Sequence, residues 1–148
     1  MFERIVAAID SDPDRSARVV EAAQELAQKF SSRVVVAHVR EVERPAAIVG
    51  TARPGALPPA LHFESEEEAR ALVDAAVARL QSAGVRADGQ IAPGTTGSTA
   101  RELLAIAQSH DATLIVVGDR GSRVTDVLLG SVAYRIVHRA ECPVLLVR

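Results

Sequence analysis

Five short runs of β-branched and aliphatic residues, each parted from the next by helical spacing, constrain this chain most. The runs are Arg4–Ile9, Arg33–Val39, Val85–Ala92, Thr113–Val117 and Val144–Val147. Within them apolar residues follow one another instead of alternating with polar ones, as strands buried on both faces do. Pro13–Phe30 places Val19, Val20, Ala23, Leu26, Ala27 and Phe30 at mostly three- and four-residue steps, which is helical. Asp12-Pro13 offers an N-cap and a proline at the first helical position. Glu64–Ala83 opens on Ser65-Glu66-Glu67-Glu68, a capping-box pattern, and stops at Gly84. Thr99-Ala100-Arg101-Glu102 repeats that box before Leu103, Ile106 and Ala107. A last helix is expected from Gly130-Ser131 to about Arg139, ahead of Pro143. Strands that alternate with helices give a parallel sheet covered on both faces. The expectation is one α/β domain over residues 1–148, doubly wound and Rossmann-like, with five parallel strands.

One segment breaks the alternation. Glu41–Phe63 holds four of the seven prolines and two of the nine glycines, and is expected to be a surface loop. The 148 residues suffice for a core without disulfide staples. The single cysteine, Cys142, excludes an internal disulfide and a thiolate zinc cluster. A net charge of −2 and only four aromatic residues argue against nucleic-acid binding. The apolar stretch Ile5–Ile9 is too short for a signal peptide. No run reaches the ~20 residues a membrane span needs. A soluble cytoplasmic protein is expected.

Lysine is nearly absent. Lys29 stands alone against 16 arginines and lies in Gln-Lys-Phe, so no P-loop is present. Phosphate has another route. In an open α/β sheet, ligands bind beyond the carboxyl ends of the strands. Gly118-Asp119-Arg120-Gly121 follows the fourth strand, and Gly130-Ser131 opens the last helix. Gly118 leaves room for a ligand, and Gly121 permits close backbone approach. Bare N–H groups at a helix N-terminus attract phosphate. Arg120 and Arg123 can neutralise its charge. Asp10, ending the first strand, can serve ribose hydroxyls, Mg²⁺ or the cap of the next helix. His38, His62, His110 and His138 show no ligand spacing, so no metal site is expected.

These residues carry a resemblance. The chain is similar to the universal stress protein family through Ile5–Asp10, Ala37-His38-Val39 and Asp111–Gly121. It is also similar through Leu128–Ala133 and Ala140–Val147. The resemblance implies strand order 3-2-1-4-5 and a homodimer paired along Val144, Leu145, Leu146 and Val147. An apolar edge strand that pairs with a second copy also fits edge-strand physics. The nucleotide-binding branch of the family carries Gly-x2-Gly-x9-Gly-Ser/Thr. By that likeness ATP or another adenine nucleotide, with or without Mg²⁺, would lie on Ala8, Ile9, Asp10 and Val39. Asp10 would hold the ribose, Gly118 would lie against it, and Val39 with Ala8 would line the adenine pocket. Arg120, Gly121, Gly130, Ser131 and the Val132 N–H would meet the phosphates. Here eight residues, Ser122 to Leu129, separate Gly121 from Gly130, where the pattern has nine.

The expected function is therefore an adenine-nucleotide-binding, dimeric regulator of the stress response. It would hydrolyse its ligand slowly or not at all and act through a protein partner that the sequence does not identify. The alternative is a nucleotide-free dimeric stress protein. Enzymes of related fold fit less well. The His-x-Gly-His of nucleotidyl transferases and the Ser-Gly-Gly-x-Asp-Ser of pyrophosphatases are both absent. A phosphoacceptor receiver domain needs an aspartate after strand three, where Gln90-Ile91-Ala92-Pro93 stands.

Overall fold

A computed structural model describes residues 1–42, 63–95, 97–119 and 131–148. Its strands are β1 (Arg4–Ala8), β2 (Arg33–Glu41), β3 (Arg86–Gly94), β4 (Leu114–Gly118) and β5 (Val144–Val147). Its helices are α1 (Pro13–Phe30), α2 (Glu66–Ser82), α3 (Thr99–Ser109) and α4 (Ser131–Arg139). The strands make one sheet in the order β3-β2-β1-β4-β5, and each neighbouring pair is parallel. This is the doubly wound α/β fold expected from the alternation. Two strands run further than their apolar residues do: β2 reaches Glu41 and β3 reaches Gly94, and these two residues face each other in register.

The two faces of the sheet bury different helices. Ile5, Ala7, Val34, Val36, Leu114 and Val116 point to one side, where Val19, Val20, Ala23 and Ala27 of α1 and Val73 and Leu80 of α2 cover them. Val6, Ala8, Val35, Ala37, Ile115 and Val117 point to the other, under Leu103 and Ile106 of α3 and Ile136 of α4. Two-residue alternation along each strand supplies both layers from one continuous apolar run. Each Val, Leu or Ile side chain removed from water in this way contributes about 1.5–3 kcal/mol. Where α2 crosses β3 there is no room for a side chain at Gly89. A Cβ built there would lie 2.2 Å from Val73 Cγ1.

The helix starts follow the sequence in two cases of three. Asp12 caps α1, accepting from the Arg15 N–H at 2.9 Å. Ser65 and Glu68 close the capping box of α2 in both directions, at 3.1 and 2.7 Å. The third box, expected at Thr99–Glu102, does not form. Thr99 is already helical, and Ser98 is the residue at the cap position, with no side-chain cap bond. The Ser98 hydroxyl is turned back to accept from the Thr95 N–H at 2.8 Å. Glu102 is engaged by Arg101 at 3.0 Å.

The two edges of the sheet differ. On β3, Arg86, Asp88 and Pro93 are exposed. On β5, Val144, Leu146 and Val147 are half-buried and Leu145 is exposed. Among the described residues, no helix is long and apolar enough to cross a membrane.

Candidate functional site

The strand order reverses beside β1. Its chain leaves towards β2 on one side, while β4 arrives on the other. A crevice forms at such a point, beyond the carboxyl ends of the strands. At these strand ends Ala8 pairs with Val117, and Gly118 lies next to Val147.

The turn from β1 into α1 is tightly held. The Ser16 hydroxyl accepts from the Asp10 N–H at 3.0 Å and donates to the Asp10 carbonyl at 2.8 Å. Both carboxylate oxygens of Asp10 are in use. Oδ1 accepts from the Asp12 N–H at 2.8 Å, and Oδ2 accepts from Arg15 Nε at 2.6 Å. The guanidinium also lies 3.4 Å from Asp12 Oδ2. The hydrogen bond to Asp10, then the charges of Asp10, Asp12 and Asp119, raise the Arg15 pKa further, against its partial burial. The same backbone turn lowers the Asp12 pKa, chiefly through the hydrogen bond from the Arg15 N–H.

Arg15 then crosses to β4. A Cβ at Gly118 would lie 2.3 Å from Arg15 Cγ and 2.8 Å from Cδ. Its side chain is only 13% exposed. The glycine that ends β4 thus makes room for an arginine stem. Beside it, Asp119 is buried. Its N–H donates to the Val147 carbonyl at 2.9 Å, and its carboxylate lies 3.5 Å from Arg148 Nε.

A second polar group stands at the end of β2. His38 is buried. Its Nδ1 lies 3.0 Å from the Ile9 carbonyl and its Nε2 lies 2.7 Å from Glu64 Oε2. The carbonyl can only accept, and so can an ionised carboxylate. His38 thus ties the end of β1 to Glu64, just ahead of α2. Arg40 adds a bond of 3.5 Å to the Glu64 carbonyl.

The expected site residues do not all come together. Ala8, Val39 and Val132 share the sheet face covered by α3 and α4. Asp10 and Gly118 meet at Arg15, while Ile9 packs on the α1 face. Ser131 is exposed at the first position of α4. Arg120, Gly121 and Gly130 lie outside the described residues, as do Arg123 and most of Glu41–Phe63. Arg15 is missed in the sequence, while Glu64 reads there as part of a helix start and Asp119 as part of the turn after the fourth strand. Arg15 did carry a signal: a cation in the first turn of a helix opposes the helix dipole and needs a local anion.

Among the described residues, a cleft of about 580 Å³ opens at the opposite end of the sheet, between α3 and the start of β5. Some of its polar groups have partners within the chain. Arg4 Nε donates to the Asp111 carbonyl at 2.6 Å, Arg101 pairs with Glu102, and burial raises the Cys142 thiol pKa. The crevice at Asp10 and Gly118 is the better candidate.

The model of the universal stress protein family matches residues 1–148. The chain belongs to this family. It is 32% identical to universal stress protein YxiE of Bacillus subtilis (strain 168), over all of both chains. Two solved universal stress proteins share the fold. One, in complex with cAMP, is 19% identical with a TM-score of 0.68, covering 99% of this chain and 97% of that one. The other, from Archaeoglobus fulgidus in complex with dAMP, is 21% identical with a TM-score of 0.65, covering 100% and 98%.

Proposed function

We propose that this universal stress protein is a dimeric regulator that binds an adenine nucleotide beyond the carboxyl ends of β1 and β4. The observation that carries the reading is the meeting of Asp10 and Gly118 at the strand-order reversal. Asp10 would serve the ribose and the Gly118 backbone would lie against it, one on either side of Arg15. Ala8, Val39 and Val132 line an apolar wall suited to a base. Ser131 begins α4, whose first N–H groups and positive dipole end suit phosphate. Structural relatives in complex with cAMP and dAMP support an adenine ligand. Arg120, Gly121 and Gly130 complete the proposed phosphate contacts, and Mg²⁺ is an optional companion. The ligand would act as a signal, hydrolysed slowly or not at all, and read by a protein partner. Assembly would run along Val144, Leu145, Leu146 and Val147.

A second reading, a nucleotide-free dimer, is favoured by one observation: both oxygens of Asp10 already have partners within the chain. Calorimetric titration with ATP, ADP, AMP and cAMP, with and without Mg²⁺, decides between them. Micromolar affinity for at least one ligand is expected, with weaker binding by Gly130→Val. No heat from any of the four would favour the nucleotide-free dimer.

A further inference from the structure

The two residues assigned to the sugar, Asp10 and Gly118, are the two that Arg15 covers. We propose that Arg15 is an intramolecular occupant of the ribose corner, competing with the sugar for Asp10 and Gly118 and so setting the affinity and ligand preference of the site. This rests on the nucleotide reading above and extends it to a residue that reading does not use.

Three features carry the inference. The guanidinium donates to Asp10 Oδ2 at 2.6 Å and lies 3.4 Å from Asp12. It therefore uses the acceptor a ribose hydroxyl would need. The stem fills the space above Gly118, with Cγ and Cδ where a Cβ could not fit. A sugar cannot lie on that backbone while the stem does. Finally, the side chain is largely buried although nothing in helix chemistry favours a cation at this position. The surrounding carboxylates of Asp10, Asp12 and Asp119 compensate it. A nucleotide then binds the fraction of molecules in which Arg15 has left Asp10, and its apparent affinity falls by that fraction.

The test needs a ligand without phosphate. Removing Arg15 makes a site containing three carboxylates more negative, which alone would weaken an anionic ligand. Adenosine avoids that effect. Two variants are compared with the parent: Arg15→Ala removes stem and charge, and Arg15→Met keeps a stem over Gly118 while freeing Asp10. Thermal unfolding confirms that each is folded, and Arg15→Met carries the test should Arg15→Ala not fold.

Adenosine is expected to bind at least one variant about tenfold more tightly than the parent, the scale of one charged hydrogen bond. Tightening in both assigns the barrier to the guanidinium, and tightening in Arg15→Ala alone assigns it to the stem. Either result supports the proposal. AMP binding to the parent, measured alongside, reports on the nucleotide reading itself. If the parent binds AMP but neither folded variant binds adenosine more tightly, the role of Arg15 is overturned and the nucleotide reading stands. If the parent binds no AMP and the variants bind no adenosine, both fall.

Discussion

Asp12 does two jobs at the mouth of α1. It caps the helix through the Arg15 N–H, and it faces the Arg15 guanidinium. Both interactions need its charge or its lone pairs, and its pKa is lowered accordingly. A lowered carboxyl stabilises the fold above its ordinary pKa and loses that contribution as pH falls through the lowered value. Asparagine at this position keeps a capping oxygen but cannot titrate. Asp12→Asn is expected to be less stable than the parent at pH 7, with the gap closing below about pH 4. Urea unfolding of both chains across that range checks it, and a gap that stays constant would refute the assignment. At this scale the sequence was readable where one residue answers one backbone need, as with Asp12, Pro13 and Ser65. It was not readable where two side chains meet across a turn or a long insertion. Asp10 and Arg15 are five residues apart on no common face, and His38 and Glu64 are separated by the proline-rich segment.

Elements meet through positions whose small size is easily overlooked. Gly89 in β3 reads as a weak strand residue, yet Val73 of α2 fills the space a side chain would take. Gly89→Ala is expected to cost about 1–3 kcal/mol by overpacking. Val73→Ala in the same chain should recover part of that loss, because it removes the methyl the new Cβ would strike. Additive losses in a double-mutant cycle would show that the two residues are not coupled. The proposed pairing along β5 is tested at Leu145, the exposed member of that strand. Its substitution disturbs the core least, so Leu145→Asp should leave a folded chain. Sedimentation should then report monomer where the parent gives dimer; an unchanged dimer would place the interface elsewhere. Helix starts show where local reading stops. Ser65 and Glu68 close their box on each other's backbone N–H groups. At α3, a turn one residue earlier recruits Ser98, and Thr99 and Glu102 form no capping box.

At the scale of the molecule, the fold was open to reading because the central strands β1, β2 and β4 are buried on both sides. Consecutive Val, Ile and Ala residues can be satisfied only between two layers of helix, and Val34, Val35, Val36 and Ala37 supply both layers in four residues. The order 3-2-1-4-5 came from family resemblance, since alternation alone leaves several doubly wound orders open. The nucleotide titration tests the proposed phosphate role of Gly121 and Gly130, which stand one residue closer together than the family pattern has them. The unlike edges of the sheet carry one more consequence. Growth by strand addition is a polymerisation, and its length depends on how many reactive ends each unit has. Here β5 offers an apolar end, while β3 ends the sheet with Arg86, Asp88 and a proline that has no N–H to give. A unit with one reactive end can join one neighbour and is then spent, so the proposed pairing along β5 would terminate itself instead of running on to a fibre.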